Sequence, residues 1–229
     1  MTQAYFVTGT DTEIGKTTIA AGLLHAARLA GLSTAAAKPV ASGCVPTGAG
    51  LRNDDALALL GECSLALAYD EVNPFAFEPA IAPHLAAREA GVELSVARLL
   101  PAVRRVLDRG ADFSLVEGAG GWRVPLAGDE SLSDLAVALR LPVILVVGVR
   151  LGCINHALLS AEAIRRDGLA LAGWVANIIE PRTSRLEDNL ATLAERLPAP
   201  CLGRVPRLDR ATPAAVAAHL SLPPPGAAL

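Results

Sequence analysis

The stretch "GTDTEIGKTT", Gly9 to Thr18, closes an apolar run and opens an Ala/Leu-rich one. Gly-Lys-Thr between a strand and a helix is a phosphate cradle. Backbone N–H groups and the helix dipole face the anion, and Gly15 lets the backbone come close. Lys16 reaches the β/γ-phosphates as a compact charge, Thr17 offers a hydroxyl to Mg²⁺, and Ile14 and Thr18 complete the turn. The chain holds only two lysines, Lys16 and Lys38, against eighteen arginines. A planar guanidinium does not fold over a tight phosphate nest as an ammonium does, so lysine here reads as a chemical requirement. The loop is also a variant. Five residues separate Gly9 from Gly15, where the usual pattern has four, and Thr10 stands at the usual place of the first glycine. Thr12 and Glu13 therefore form a polar lip. An acid beside a polyphosphate is unfavourable unless it faces a cation, so Glu13 suits a substrate amine. The alternative is a solvated acid near a helix N-terminus.

Other polar residues fall where apolar runs stop. Lys38 ends "LSTAAAK", where it can stabilise charge developing in phosphoryl transfer. Ser42 follows in the same loop, within reach of a substrate. Asp54 and Asp55 open a short helix; Asp54 suits the N-cap, and Asp55 is free to ligate Mg²⁺. Glu117 ends "DFSLVE" in the position of a magnesium-holding carboxylate, and Gly118, Ala119, Gly120 and Gly121 leave room for the γ-phosphate. "GCINH" starts a helix whose free N–H groups, with Asn155, can hold a carboxylate. Asn177 ends a later strand, where its amide can read adenine, and Pro206, Arg207 and Leu208 can wall the base pocket.

These residues need a scaffold that collects strand ends. Short β-branched runs at 4–9, 112–117, 141–149, 171–177 and 201–205 alternate with helical patterns at 16–30, 95–109, 154–166 and 184–196. In the second of these patterns Leu99, Val103, Val106 and Leu107 share a face. A further strand stops at Lys38-Pro39. This alternation predicts an α/β fold, a doubly wound and mainly parallel sheet flanked by helices. Ligands of such sheets bind beyond the carboxyl ends of the strands. One domain over 1–229 is expected, with an irregular insertion at 40–94 and a loose tail from about 209.

The 52% hydrophobic and 19% charged content supports a large core. A net charge of −3 gives no attraction to nucleic acid or an anionic membrane, and neither partner is expected. The four cysteines form no C-x-x-C pair, so they read as buried apolar residues rather than a zinc or disulfide framework. With no signal-peptide pattern and no apolar run of bilayer length, a cytoplasmic protein is expected.

The segments "YFVTGTDTEIGKT", "AAAKPVASG", "LRNDDALAL", "VNPFAF", "LVEGAGGW", "PVILVVGVRLGCINH" and "LAGWVAN" resemble those of the dethiobiotin synthetase family, in order and spacing, over most of residues 4–208. The resemblance extends to the lengthened phosphate loop. It implies a P-loop, Mg²⁺-dependent ligase that takes 7,8-diaminononanoate, CO₂ and ATP to a cyclic urea through a carbamate and a carbamic–phosphoric anhydride. It assigns Lys16, Lys38 and Thr12 to catalysis, and Glu13, Ser42 and Asn155 to substrate. Thr17, Asp55 and Glu117 surround the metal, while Glu13 to Thr18, Gly118 to Gly120, Asn177 and Pro206 to Leu208 hold the nucleotide. It also implies a homodimer, with the substrate's tail reaching the partner near Asn155. The rival is an ATPase switch of the partition or division-site type. Such switches carry a second lysine five residues before the loop lysine, and Asp11 holds that place here.

Overall fold

A computed structural model describes residues 2–180 and 182–224. The elements run β1 (Gln3–Gly9), α1 (Lys16–Leu29), β2 (Thr34–Ala37), β3 (Val40–Ala41), β4 (Val45–Thr47), β5 (Gly50–Arg52), α2 (Asp54–Gly61) and α3 (Tyr69–Val72). They continue with β6 (Phe75–Ala76), α4 (Pro83–Glu89), α5 (Val96–Leu107), β7 (Phe113–Glu117), α6 (Leu132–Leu139) and β8 (Val143–Gly148). The last are α7 (Cys153–Arg166), β9 (Leu171–Asn177), α8 (Leu186–Arg196), β10 (Cys201–Val205) and α9 (Pro213–Ala217).

Six strands form one parallel sheet in the order β10-β9-β8-β1-β7-β2. Its central strands are buried on both faces, which explains their unbroken apolar runs. In β8, Ile144 and Val146 face Leu23 and Leu24 of α1, while Leu145 and Val147 face α7 and α8. Helix α5 shows its expected stripe: Leu99, Val103 and Val106 are buried and Leu107 half-buried. Helices on both sides make the sheet doubly wound. Every strand end of interest, from Gly9 and Ala37 to Glu117, Gly148, Asn177 and Val205, therefore opens on the same edge.

Residues 40–94 carry a β4–β5 hairpin, a two-stranded β3–β6 pair and the helices α2 to α4. Helices α2 and α3 pack beside β2, at the edge of the main sheet.

Two expectations change, and one helix stands where none was expected. The stretch from 209 is not loose as far as 224. Helix α9 packs on α1 with Val216 fully buried, and Leu220 bridges Gly203; residues 225–229 of the expected tail lie outside the described residues. Cys44 and Cys153 are buried and Cys63 half-buried, but Cys201 is exposed because β10 is an edge strand. Helix α6 was not anticipated. It begins with a capping box in which the Asp134 carboxylate accepts from the Ser131 N–H at 2.7 Å. No helix among the described residues is long and apolar enough to cross a membrane.

The contact between α1 and α9 is close at Gly22, where an added Cβ would lie 2.5 Å from Val216 Cγ1. Alanine in a helix gains about 1 kcal/mol over glycine, but overpacking costs about 1–3 kcal/mol. Gly22→Ala is therefore expected to lower the urea midpoint. Gly22→Ala combined with Val216→Ala is expected to restore it; equal midpoints for the single variant and wild type would contradict the packing.

Candidate active site

Lys38 leaves the carboxyl end of β2 and Glu117 ends the neighbouring β7, so sheet order alone brings them together. The Lys38 ammonium lies 2.5 Å from Glu117 Oε1, 3.2 Å from Asp55 Oδ2 and 3.4 Å from the Gly118 carbonyl. The Thr17 hydroxyl donates to the same Glu117 oxygen at 2.7 Å. Glu117 is fully buried and Lys38 is 4% exposed. Burial opposes the lysine charge, but the carboxylates of Glu117 and Asp55 outweigh it and hold its pKa above the usual lysine value. Burial likewise opposes the Asp55 charge, and Lys38 outweighs it, so that carboxyl sits below its usual range. Lys16 differs. Burial pushes its ammonium below the usual lysine value, against the pull of Glu117 and with the push of Lys38. Its one hydrogen bond among the described residues is to the Asp11 carbonyl, at 3.3 Å. An arriving polyphosphate would supply the negative charge that this ammonium lacks.

A part-buried polar chain fixes Lys38 and Asp55 relative to each other. The Lys38 N–H donates to the Val72 carbonyl at 2.7 Å, and Asn73 Nδ2 donates to the Lys38 carbonyl at 2.7 Å. Tyr69 Oη donates to Asn73 Oδ1 at 3.0 Å and accepts from the Asn53 N–H at 2.8 Å. Asn53 is the N-cap of α2, its side chain accepting from the Ala56 N–H. The cap expected at Asp54 thus falls one residue earlier, and Asp54 and Asp55 fill the first turn, where the helix dipole favours acids.

Gly15 caps α1 with φ 81°, in the left-handed region, and a Cβ there would lie 2.4 Å from Asn177 Nδ2. No side chain caps this helix, and its first turn carries no acid. Its leading N–H groups are left for an anion. Asn177 Nδ2 donates to the Ile14 carbonyl at 2.7 Å, so this amide braces the loop from below. Thr10, in the place of the usual first glycine, accepts from the Gly148 N–H at 3.3 Å.

A cleft of about 910 Å³ lies above these groups. Thr12, Glu13, Gly15, Lys16, Thr17 and Thr18 line one side; Lys38, Ser42 and Asp55 line the floor; Ala119 and Gly120 complete it. Ile81, Pro83, Val124 and Pro125 add an apolar wall. Gly118 does not line the cleft, because it is buried beneath with its carbonyl on Lys38. Ile14 is buried too and faces the core. Pro206, Arg207 and Leu208 line a second cleft of about 630 Å³, with Ile178 and Leu186, beyond β9 and β10. Asn155 lies in neither cleft and is exposed on α7. Sequence reasoning missed Asn53, Tyr69 and Asn73. It also missed Arg123, which lines the main cleft and is pinned by Asp167 at 2.7 Å and Ser133 at 3.0 Å.

The oxygens near Thr17 fit a hard divalent cation. Glu117 Oε2 is buried with no hydrogen-bond partner, and the Thr17 hydroxyl and the half-exposed Asp55 carboxylate stand nearby. No group of three or more acidic, His or Cys side chains that could hold a metal occurs among the described residues. The Glu117 and Asp55 carboxylates are a donor set of the kind Mg²⁺ takes, since that ion binds one or two carboxylates and completes its shell with phosphate and water.

The AAA domain family matches residues 3–215. The chain is 82% identical over 226 residues to the ATP-dependent dethiobiotin synthetase BioD of Pseudomonas aeruginosa, covering 99% of each chain. It is 60% identical over 222 residues to the protein of that name from Cellvibrio japonicus, covering 97% of each. Among solved structures it resembles MinD of Pyrococcus horikoshii with Mg-ADP (TM-score 0.56, 16% identity, 90% of this chain and 82% of that one). It also resembles a ParA family ATPase of Chlorobium tepidum (TM-score 0.53, 12% identity, 94% and 90%). At these identities the structural likeness shows the fold alone.

Breaking the Lys38–Glu117 pair leaves a buried charge behind. Lys38→Ala is expected to destabilise the protein by about 3 kcal/mol. Adding Glu117→Gln is expected to recover most of that stability but none of the activity. Urea titration read beside phosphate release checks both; a double variant as unstable as the single would contradict the assigned cause.

Proposed function

The chain belongs to the ATP-dependent dethiobiotin synthetases, and we propose that its main cleft joins 7,8-diaminononanoate to CO₂ with ATP and closes a cyclic urea. The observation that carries this reading is the placement of both lysines of the chain on one cleft, opposite an acidic lip and beside an apolar wall. One amine takes up CO₂ to give a carbamate. Its oxygen accepts the γ-phosphoryl group, releasing ADP. The second amine attacks the carbonyl carbon, and phosphate leaves as the ring closes.

The residues divide this work by charge. Lys38, held charged by its carboxylate neighbours, neutralises the carbamate. Lys16 follows the transferring phosphoryl group. Thr12, Glu13 and Ser42 hold the diamine end, and Ile81, Pro83, Val124 and Pro125 take the alkyl chain. Thr17, Asp55 and Glu117 would hold Mg²⁺, which would supply charge neutralisation to the phosphates. The Pro206–Leu208 turn faces the adenine, while Asn177 acts from beneath by bracing the phosphate loop at Ile14.

We place the enzyme in the cytoplasm as a homodimer of single-domain subunits. Asn155 stands outside both clefts, and Leu151 beside it is 91% exposed. A partner's substrate tail at the start of α7 accounts for both. The switch reading gains nothing from the likeness to ParA and MinD, since Asp11 holds the place of the second lysine and is paired with Arg150.

Phosphate release with MgATP and bicarbonate, with and without the diamine, tests the function. Diamine-dependent release, with a product heavier than the diamine by one CO₂ less one water, is expected. Release indifferent to the diamine would overturn the reading. Lys16→Ala is expected to lose at least about a hundredfold in turnover while remaining folded. Sedimentation is expected to give a species of twice 23.5 kDa, and a 23.5 kDa species alone would refute the dimer.

A further inference from the structure

Four contacts stitch the lip of the phosphate loop to the ends of β8 and β9. The Thr10 N–H donates to the Val146 carbonyl at 3.0 Å, and the Gly148 N–H donates to Thr10 Oγ1 at 3.3 Å. Asn177 Nδ2 donates to the Ile14 carbonyl at 2.7 Å. The fourth is an ion pair between the Arg150 guanidinium, just beyond β8, and the Asp11 carboxylate. These contacts flank Thr12 and Glu13 on both sides. Neither Asp11 nor Arg150 lines the main cleft.

Asp11 has three tasks. Oδ2 meets Arg150, Oδ1 accepts from the Thr12 N–H at 2.8 Å, and its carbonyl accepts from Lys16 Nζ at 3.3 Å. Two residues on, Glu13 holds φ 57°, a left-handed conformation that a residue with a Cβ adopts at about 1–2 kcal/mol. The lip is therefore an arch away from its backbone minimum, and its feet must be fixed. Asp11 is also an anion close to a polyphosphate cradle, so a cationic partner serves that foot twice.

We propose that Arg150 is a positioning residue of the reaction: by holding Asp11 it fixes the Thr12–Glu13 lip against the diamine. The inference rests on the diamine reading of that lip. The Arg150 side chain acts through Asp11, without touching the ligand. Each side chain of the pair is 43% exposed, so its strength is that of a surface pair.

Steady-state kinetics of wild type, Arg150→Ala, Arg150→Lys, Asp11→Asn and the Asp11→Asn/Arg150→Ala double variant test this. Asp11→Asn keeps an acceptor for the Thr12 N–H and removes the charge. Arg150→Ala is expected to raise the diamine KM about fivefold, the upper end for a half-exposed pair, with the MgATP KM within about twofold. Asp11→Asn is expected to match it, the double variant to add nothing, and Arg150→Lys to recover most of the loss. A diamine KM unchanged in Arg150→Ala would overturn the proposal. So would a rise that Asp11→Asn does not share, which would mean that Arg150 touches the ligand itself, or an equal rise in the MgATP KM. A wild type that ignores the diamine would sink the functional reading and this one together. A diamine-dependent wild type with an indifferent Arg150→Ala would sink the brace alone.

Discussion

The buried ion pair between Lys38 and Glu117 is the constraint around which the rest of the site is arranged. Taking two ions out of water costs several kcal/mol for each, and such a pair is often no more stabilising than well-packed apolar residues. Its place at the floor of the cleft therefore answers to chemistry. The fold satisfies it from three directions. Adjacent strands β2 and β7 bring the two groups together, α1 adds the Thr17 hydroxyl, and α2 brings the Asp55 carboxylate. The second Glu117 oxygen is left buried without a hydrogen-bond partner among these neighbours, an acceptor that a divalent cation would satisfy.

The segment between β2 and α5 supplies much of the main cleft's lining. The main sheet supplies the phosphate loop and Glu117, features that a general P-loop scaffold can carry. Ser42, Asp55, Ile81 and Pro83 all come from the inserted stretch, as do the Asn53, Tyr69 and Asn73 that hold Lys38 in place. Structures 12% and 16% identical share the sheet, so the sheet alone does not specify a reaction.

What could be read from the sequence was local. Gly-Lys-Thr between a strand and a helix carries its own geometry, and a parallel strand covered on both faces reads as an apolar run. Lys38 and Glu117 were visible because each stops such a run. Partnerships across long sequence separations left no trace. Asn177 looked like an adenine reader, yet its Nδ2 goes to a carbonyl 163 residues away; the residue type was legible and the partner was not. Asn53 and Asp54 are both good N-caps, and the choice follows from the Tyr69 hydroxyl held by Asn73 on the far side of α3. Helix α9 has five residues and no period of its own, so it depends on the groove at Gly22. Helix α6 did offer a signal, Ser131 followed three residues later by Asp134, in a run short enough to pass for loop.

The strand order has a consequence for how the protein is made. Strand β1 lies between β7 and β8, so its two neighbours are translated more than a hundred residues after it. Helix α1 is covered in part by Val216 of α9. A ribosome thus releases the phosphate loop first and its supports much later. During elongation the nascent chain carries a bare apolar strand and a half-covered helix, the kind of surface that chaperones hold and that aggregates without them. The phosphate loop is synthesised well before the strands that hold it and takes its shape only when they arrive.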